Sequence, residues 1–265
     1  MGSAVCQGCH EEIFNGLQKN PHFKVDGSDR WGFKEQVCES CHGPGSLHAE
    51  AADPALIRNP LKVPLLEANR ICLKCHLNQP SRVGSFRIAH ARNQVACVLC
   101  HSIHKPKPKR TIEICGTCHL AQVTQFQRPY RHRLMEGAID CIDCHNPHGR
   151  LLPGVLREVS ANEPACFKCH GDKRGPFTFE HVPVRTEGCT ACHEPHGSAN
   201  PRMLIRANVR FLCLECHSNL GTSPSTTAIG GVPPAFHDLR SPRIQNCTIC
   251  HVKIHGSHVN KVFLR

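Results

Sequence analysis

Periodic apolar stretches are few along this 265-residue chain, and no apolar run approaches the roughly 18 residues that a membrane-spanning helix needs. Punctuation is frequent instead. With 20 Gly and 20 Pro breaking the pattern, the elements predicted are short α-helices joined by turns, with loops dominating and little or no β-structure. The aromatic complement is 11 Phe, 1 Trp and 1 Tyr. A chain so poor in large apolar side chains cannot build its interior from protein alone.

The short helices are expected where one motif recurs. Cys-x-x-Cys-His is written ten times, and it consumes all 20 cysteines. Its first cysteines are Cys6, Cys38, Cys72, Cys97, Cys115, Cys141, Cys166, Cys189, Cys213 and Cys247. Its second are Cys9, Cys41, Cys75, Cys100, Cys118, Cys144, Cys169, Cys192, Cys216 and Cys250. The histidines that follow are His10, His42, His76, His101, His119, His145, His170, His193, His217 and His251. On a helical turn, positions i, i+3 and i+4 share one face, so two thiols meet the two vinyl edges of one porphyrin while the imidazole reaches its iron. This is the pattern of covalent c-type haem attachment, and ten motifs imply ten haems. Zinc ribbons also use Cys-x-x-Cys pairs, but they do not require His directly after every pair. A disulfide framework fits less well still, because this close spacing is rarely structural. At about 26 residues per haem, the interior is expected to be largely macrocycle.

The haems change the meaning of the charge. A formal net charge of +11 would suggest nucleic acid or an anionic membrane as partner. Two propionates per haem and one positive charge on each ferric core bring the sum to roughly +1 oxidised and about −9 reduced. The 32 Lys and Arg then read as internal counterions, and no nucleic-acid partner is expected. The run Lys105-Pro106-Lys107-Pro108-Lys109-Arg110 reads as an extended, solvated linker. Only Met1 to Val5 precede the first haem cysteine, so an export signal is expected to have been removed. Thioether attachment occurs outside the bacterial cytoplasmic membrane, so the chain is expected to be periplasmic or outer-membrane-associated, with no lipid-spanning segment of its own.

Eleven further histidines lie outside the motifs: His22, His48, His90, His104, His132, His148, His181, His196, His237, His255 and His258. Their order repeats. A leader His precedes a motif, a follower His comes shortly after it, and a second motif closes the unit. The copies are 22–76, 90–119, 132–170 and 181–217, with a truncated copy at 237–255 and a first motif at 6–10 standing ahead of the array. The whole of 1–265 reads as one decahaem domain. The leaders His22, His90, His132, His181 and His237, with the followers His48, His104, His148, His196 and His255, supply one distal ligand per iron. His258 is left over. Methionine ligation is not expected, since only Met1, Met135 and Met203 exist.

The followers also constrain the architecture. In Cys144-His145-Asn146-Pro147-His148, Pro147 turns the chain, and three residues cannot carry it around a porphyrin rim to the opposite face. His148 must therefore serve a different haem from the one attached just before it. His104, His196 and His255 are in the same position, so short tethers stitch neighbouring haems together.

Several stretches carry a resemblance: Cys41-His42-Gly43-Pro44-Gly45-Ser46, Cys144-His145-Asn146-Pro147-His148-Gly149, Lys173-Arg174-Gly175-Pro176-Phe177, Glu180-His181-Val182-Pro183-Val184, Cys192-His193-Glu194-Pro195-His196-Gly197-Ser198 and His255-Gly256-Ser257. The chain resembles, nearly end to end, the decahaem c-type cytochromes of outer-membrane porin–cytochrome conduits, the MtrA/DmsE/PioA type. It departs from them at His258, where members often carry Asn. The resemblance implies an elongated, staggered chain of haems inside an outer-membrane β-barrel porin, exchanging electrons with other multihaem cytochromes or periplasmic donors. A freely diffusing periplasmic carrier and an extracellular filament are the alternatives within electron transfer. A multihaem reductase of a small nitrogen or sulfur oxide is the enzymatic one. Such a reductase needs an iron with an open position, often marked by Cys-x-x-Cys-Lys, which does not occur here, so an electron-transfer protein is expected rather than an enzyme.

Overall fold

The computed structural model of the chain describes residues 1–78, 89–105, 110–149, 163–218, 242 and 245–264. His237 and the centre of the Lys105–Arg110 run lie outside them. Turns and loops dominate, as the apolar pattern predicts. Helices are short, and the longest, Leu65–His76, has 12 residues. Among the described residues the sheet structure consists of two residue pairs: β1 (Phe179–Glu180) runs antiparallel to β2 (Gly256–Ser257), with Phe179 opposite Ser257 and Glu180 opposite Gly256.

Local chemistry starts and stops these elements. Asn20 caps the 3₁₀ turn Pro21–Val25 by accepting from the His22 N–H, while Pro21 fixes the backbone at its first position. Asp53 caps Pro54–Leu56 and Asn208 caps Val209–Leu214 in the same way. Gly43, at φ 75°, ends the helix Val37–His42 in a conformation that L side chains rarely adopt.

By contacts, the chain divides into two compact units, one drawn from Met1–Thr117 and His145–Val155, the other from Cys118–Cys144 and Leu156–Arg265. Among the described residues the first buries Leu17, Val37, Ala68, Ile71 and Ala96. Asp26 ties its first two motifs together, accepting from Ser3 Oγ at 2.7 Å and from Val37 N–H at 2.9 Å. Asn69, on the longest helix, accepts from Cys97 N–H at 2.7 Å and so fixes the start of the fourth motif.

The second unit buries Phe126, Leu134, Ala165 and Phe167. Tyr130 and Ser198 exchange backbone hydrogen bonds, and the Ser198 hydroxyl donates to the Leu204 carbonyl at 2.7 Å. Two glycines that follow histidines allow close approach. A Cβ on Gly197 would collide with the Gln125 carbonyl, and one on Gly256 with the Phe177 ring. These small apolar clusters are what a chain expecting macrocycles for its interior should show.

Candidate functional site

Six motif histidines share one local fold. The N–H of His10, His101, His170, His193, His217 and His251 donates to the carbonyl of the first cysteine of its own motif, at 2.9–3.0 Å. That single turn sets both thiols and the imidazole on one side of the backbone. All 20 cysteines are half-buried or exposed, as attachment to a large planar group requires.

Cysteines of consecutive motifs also meet. Burial, with the Cys6 thiol next in effect, pushes Cys38 up to about 11. Burial and the neighbouring Cys247 push Cys213 up to about 12. A hydrogen bond from Cys189 holds Cys166 down at about 6 and drives Cys189 in the opposite direction. The structure thus sets the attachment points of the first and second, seventh and eighth, and ninth and tenth motifs side by side.

Among the described residues, motif histidines face histidines from outside the motifs. In the first unit the ring centroids are 6.2 Å apart for His10–His48, 5.7 Å for His22–His76, 5.8 Å for His42–His104 and 5.8 Å for His101–His148. In the second they are 6.2 Å for His132–His170, 6.3 Å for His181–His217 and 6.2 Å for His193–His255. These separations are too wide for face-to-face stacking, which brings ring atoms to about 3.5–4.0 Å. They match two imidazoles on opposite sides of one metal, where bonds of roughly 2 Å, plus about 1 Å from each nitrogen to its ring centre, place the centroids about 6 Å apart.

The pairing follows the repeat. Leaders face the second motif of their own copy: His22 with His76, His132 with His170, His181 with His217. Followers face the first motif of the preceding copy: His104 with His42, His148 with His101, His255 with His193. His48, follower in the first copy, faces His10 in the motif ahead of the array. In none of these pairs does a follower face the motif immediately before it.

Hydrogen bonds at the far ring nitrogen prepare these imidazoles as ligands. A carbonyl can only accept, so each bond below puts the proton on Nδ1 and leaves the Nε2 lone pair available. Nδ1 of His42 donates to the Arg58 carbonyl at 2.8 Å, His48 to Asp53 at 2.9 Å, His132 to Pro195 at 2.7 Å and His193 to Arg202 at 2.9 Å. His251 donates to the Val262 carbonyl. Burial lowers the pKa of His22, His104, His181 and His255, and neighbouring imidazoles lower it further, His76 and His101 in the case of His22. Neutral imidazole is the ligating form.

Two histidines use side-chain amides instead. His22 Nδ1 donates to Asn20 Oδ1 at 2.9 Å, and His196 Nδ1 donates to Gln125 Oε1 at 3.1 Å, its ring lying 5.2 Å from Phe126. Sequence reasoning missed both amides. Asn20-Pro21-His22 offered a signal, since the same Asn-Pro-His string recurs at 146–148, where Asn146 caps the His148 N–H at 3.2 Å. His90 Nδ1 stands 3.4 Å from the Pro147 carbonyl. His258 lies against the Phe177 ring at 5.2 Å. Among the described residues no three His, Cys, Asp or Glu side chains gather as a metal-ion site.

Known proteins are similar to this chain in sequence. The family described as a doubled CXXCH motif matches residues 132–175 and 181–222, and the family of NrfB-like c-type cytochromes matches 38–112. The chain is 26% identical over 129 residues to the cytochrome c-type protein NrfB of Escherichia coli O6:H1, which covers 46% of this chain and 67% of that relative. It is 34% identical over 268 residues to the multiheme cytochrome MtrA of Shewanella baltica, covering 97% of this chain and 79% of that relative. Facing imidazoles over repeated attachment turns, together with end-to-end similarity, make this chain a member of the MtrA-type family of multihaem c-type cytochromes, electron-transfer proteins with covalently bound haem c.

Proposed function

We propose that this chain is a wire of ten bis-histidine c-type haems. It relays single electrons between the periplasm and the cell exterior inside an outer-membrane β-barrel partner. The observation that carries the reading is the set of seven facing histidine pairs, each joining a motif histidine to one expected distal ligand. The remaining motif histidines, His119, His145 and His251, draw on the remaining leaders and follower, His90, His237 and His196. Bound haem supplies an iron that gains and loses one electron. The 20 cysteines hold the macrocycles by thioether bonds. Each histidine pair would hold one haem iron with two protein ligands, which would leave no open site for a substrate and favours transfer over catalysis. Carbonyls on the Nδ1–H of His42, His48, His132 and His193, and the Asn20 amide on that of His22, keep these rings aimed and raise their basicity. Lys and Arg side chains offset the propionates.

No helix among the described residues is long and apolar enough to cross a membrane, and the proposal assigns the crossing to the partner. Two measurements test it. Haem quantification with intact mass should give ten haems per chain; fewer would overturn the count. Affinity isolation from solubilised outer membranes should bring a β-barrel protein with the chain. Recovery of all the cytochrome in the soluble periplasmic fraction would replace the conduit with a diffusing carrier, and recovery as polymers would replace it with a filament.

A further inference from the structure

Asn20 has a role that no motif expresses. Its side chain is engaged at both ends: Oδ1 accepts both the backbone N–H of His22 at 3.0 Å and the ring Nδ1–H of His22 at 2.9 Å. Its Nδ2 donates to the carbonyl of Ile103 at 2.9 Å. The partners fix which end of the amide faces which, because a carbonyl needs a donor and two N–H groups need an acceptor. The backbone is held as well, with the Asn20 N–H on the Leu17 carbonyl at 2.8 Å and the Phe23 N–H on the Asn20 carbonyl at 3.0 Å.

Both ends of this amide reach a facing pair. His22 stands opposite His76, and Ile103 precedes His104, which stands opposite His42. At His42, His48, His132 and His193 the Nδ1 acceptor is a backbone carbonyl, whose strength no substitution can change. At His22 it is a side chain.

We propose that Asn20 is a positioning residue that sets the reduction potential of the haem held between His22 and His76. This rests on the ligation reading above and goes beyond it. A stronger acceptor on Nδ1–H pushes electron density toward Nε2, stabilises the ferric iron and lowers the potential; a missing acceptor does the reverse. Asn20 holds this haem between those limits, and its donor end seats the segment that carries His104.

Asn20→Asp and Asn20→Ala, made in the full haem-loaded protein, separate tuning from mere capping. Both lose the donor to Ile103, but they differ in what faces Nδ1. Spectroelectrochemical titration should show one component moving negative in Asn20→Asp and the same component moving positive in Asn20→Ala. Shifts of the same sign in both variants, or none in either, would overturn the proposal. Should Asn20→Asp fail to load haem, Asn20→Ser keeps a weaker neutral acceptor and should move that component positive by less than Asn20→Ala does; an equal or larger move would count against the proposal. His22→Ala separates the two levels of inference. If its spectrum stays wholly low-spin, the ligation reading fails. If one haem becomes high-spin while Asn20→Asp leaves every potential in place, only the assignment to Asn20 fails.

Discussion

The rings of His193 and His255 lie 6.2 Å apart, centre to centre, with planes 17° from parallel. His255 comes four residues after the last motif histidine, His251, yet it faces a motif a full copy earlier. His258, three residues on, packs against Phe177 instead. His255→Ala should therefore convert one haem equivalent to high spin, whereas His258→Ala should leave the spectrum of the oxidised protein low-spin. Low-temperature electron paramagnetic resonance reads both. A high-spin signal in His258→Ala alone would reassign the last distal ligand.

The follower pairs predict a second set of spectra. His148→Ala and His104→Ala should each open one iron, because their rings face His101 and His42. The thioether count should not change, since the cysteines and motif histidines remain. Intact mass together with magnetic circular dichroism checks both statements: unchanged mass apart from the substitution, with one new high-spin haem.

Gly256 sits at φ 146°, with no room for a Cβ beside the Phe177 ring. Gly256→Ala should destabilise the second unit by on the order of 3 kcal/mol, backbone strain and overpacking acting together. Chemical denaturation followed in the Soret band measures this. Relief by the double variant Gly256→Ala, Phe177→Ala would identify the ring as the obstacle.

Phe167 is 6% exposed and is one of few apolar side chains buried in its unit. Phe167→Ala should cost about 3–5 kcal/mol, at the upper end if the neighbouring macrocycles cannot close the gap. The unfolding midpoint is the readout, and the histidine-pair spectra should survive at low denaturant.

Charge makes a prediction of its own. On the proposed count of ten haems, full reduction would carry the protein from nearly neutral to about −9. Each electron should be harder to add than the last, so the titration should spread over a wide range and narrow as ionic strength rises. Ten equal potentials, insensitive to salt, would contradict it.

The attachment sites were legible because their chemistry is local: Cys6, Cys9 and His10 define one turn without help from the rest of the chain. The loop-rich fold was legible for the same reason, since Gly and Pro act where they stand. The histidine partners were only half legible. A three-residue tether showed what His104 could not face, but that it faces His42 depends on packing between copies. The Nδ1 acceptors were hidden almost entirely. Arg58, Asp53, Pro195 and Arg202 contribute backbone carbonyls, which every residue has, so no side-chain signal marks them. Asn20 was overlooked because Asn before Pro reads as an ordinary cap.

The interlocking of copies has a numerical consequence. A leader keeps its partner inside its own copy, whereas a follower lends itself to the copy before. Excising one whole internal copy removes two motifs and two distal histidines together. The first motif of the copy before it and the follower of the copy after it are then left to face one another, and the balance is kept. Excising half a copy strands a motif or a ligand. An array built on this plan changes length in steps of two haems, and internal deletions that respect the step should stay wholly low-spin while those that strand a motif should show a high-spin haem.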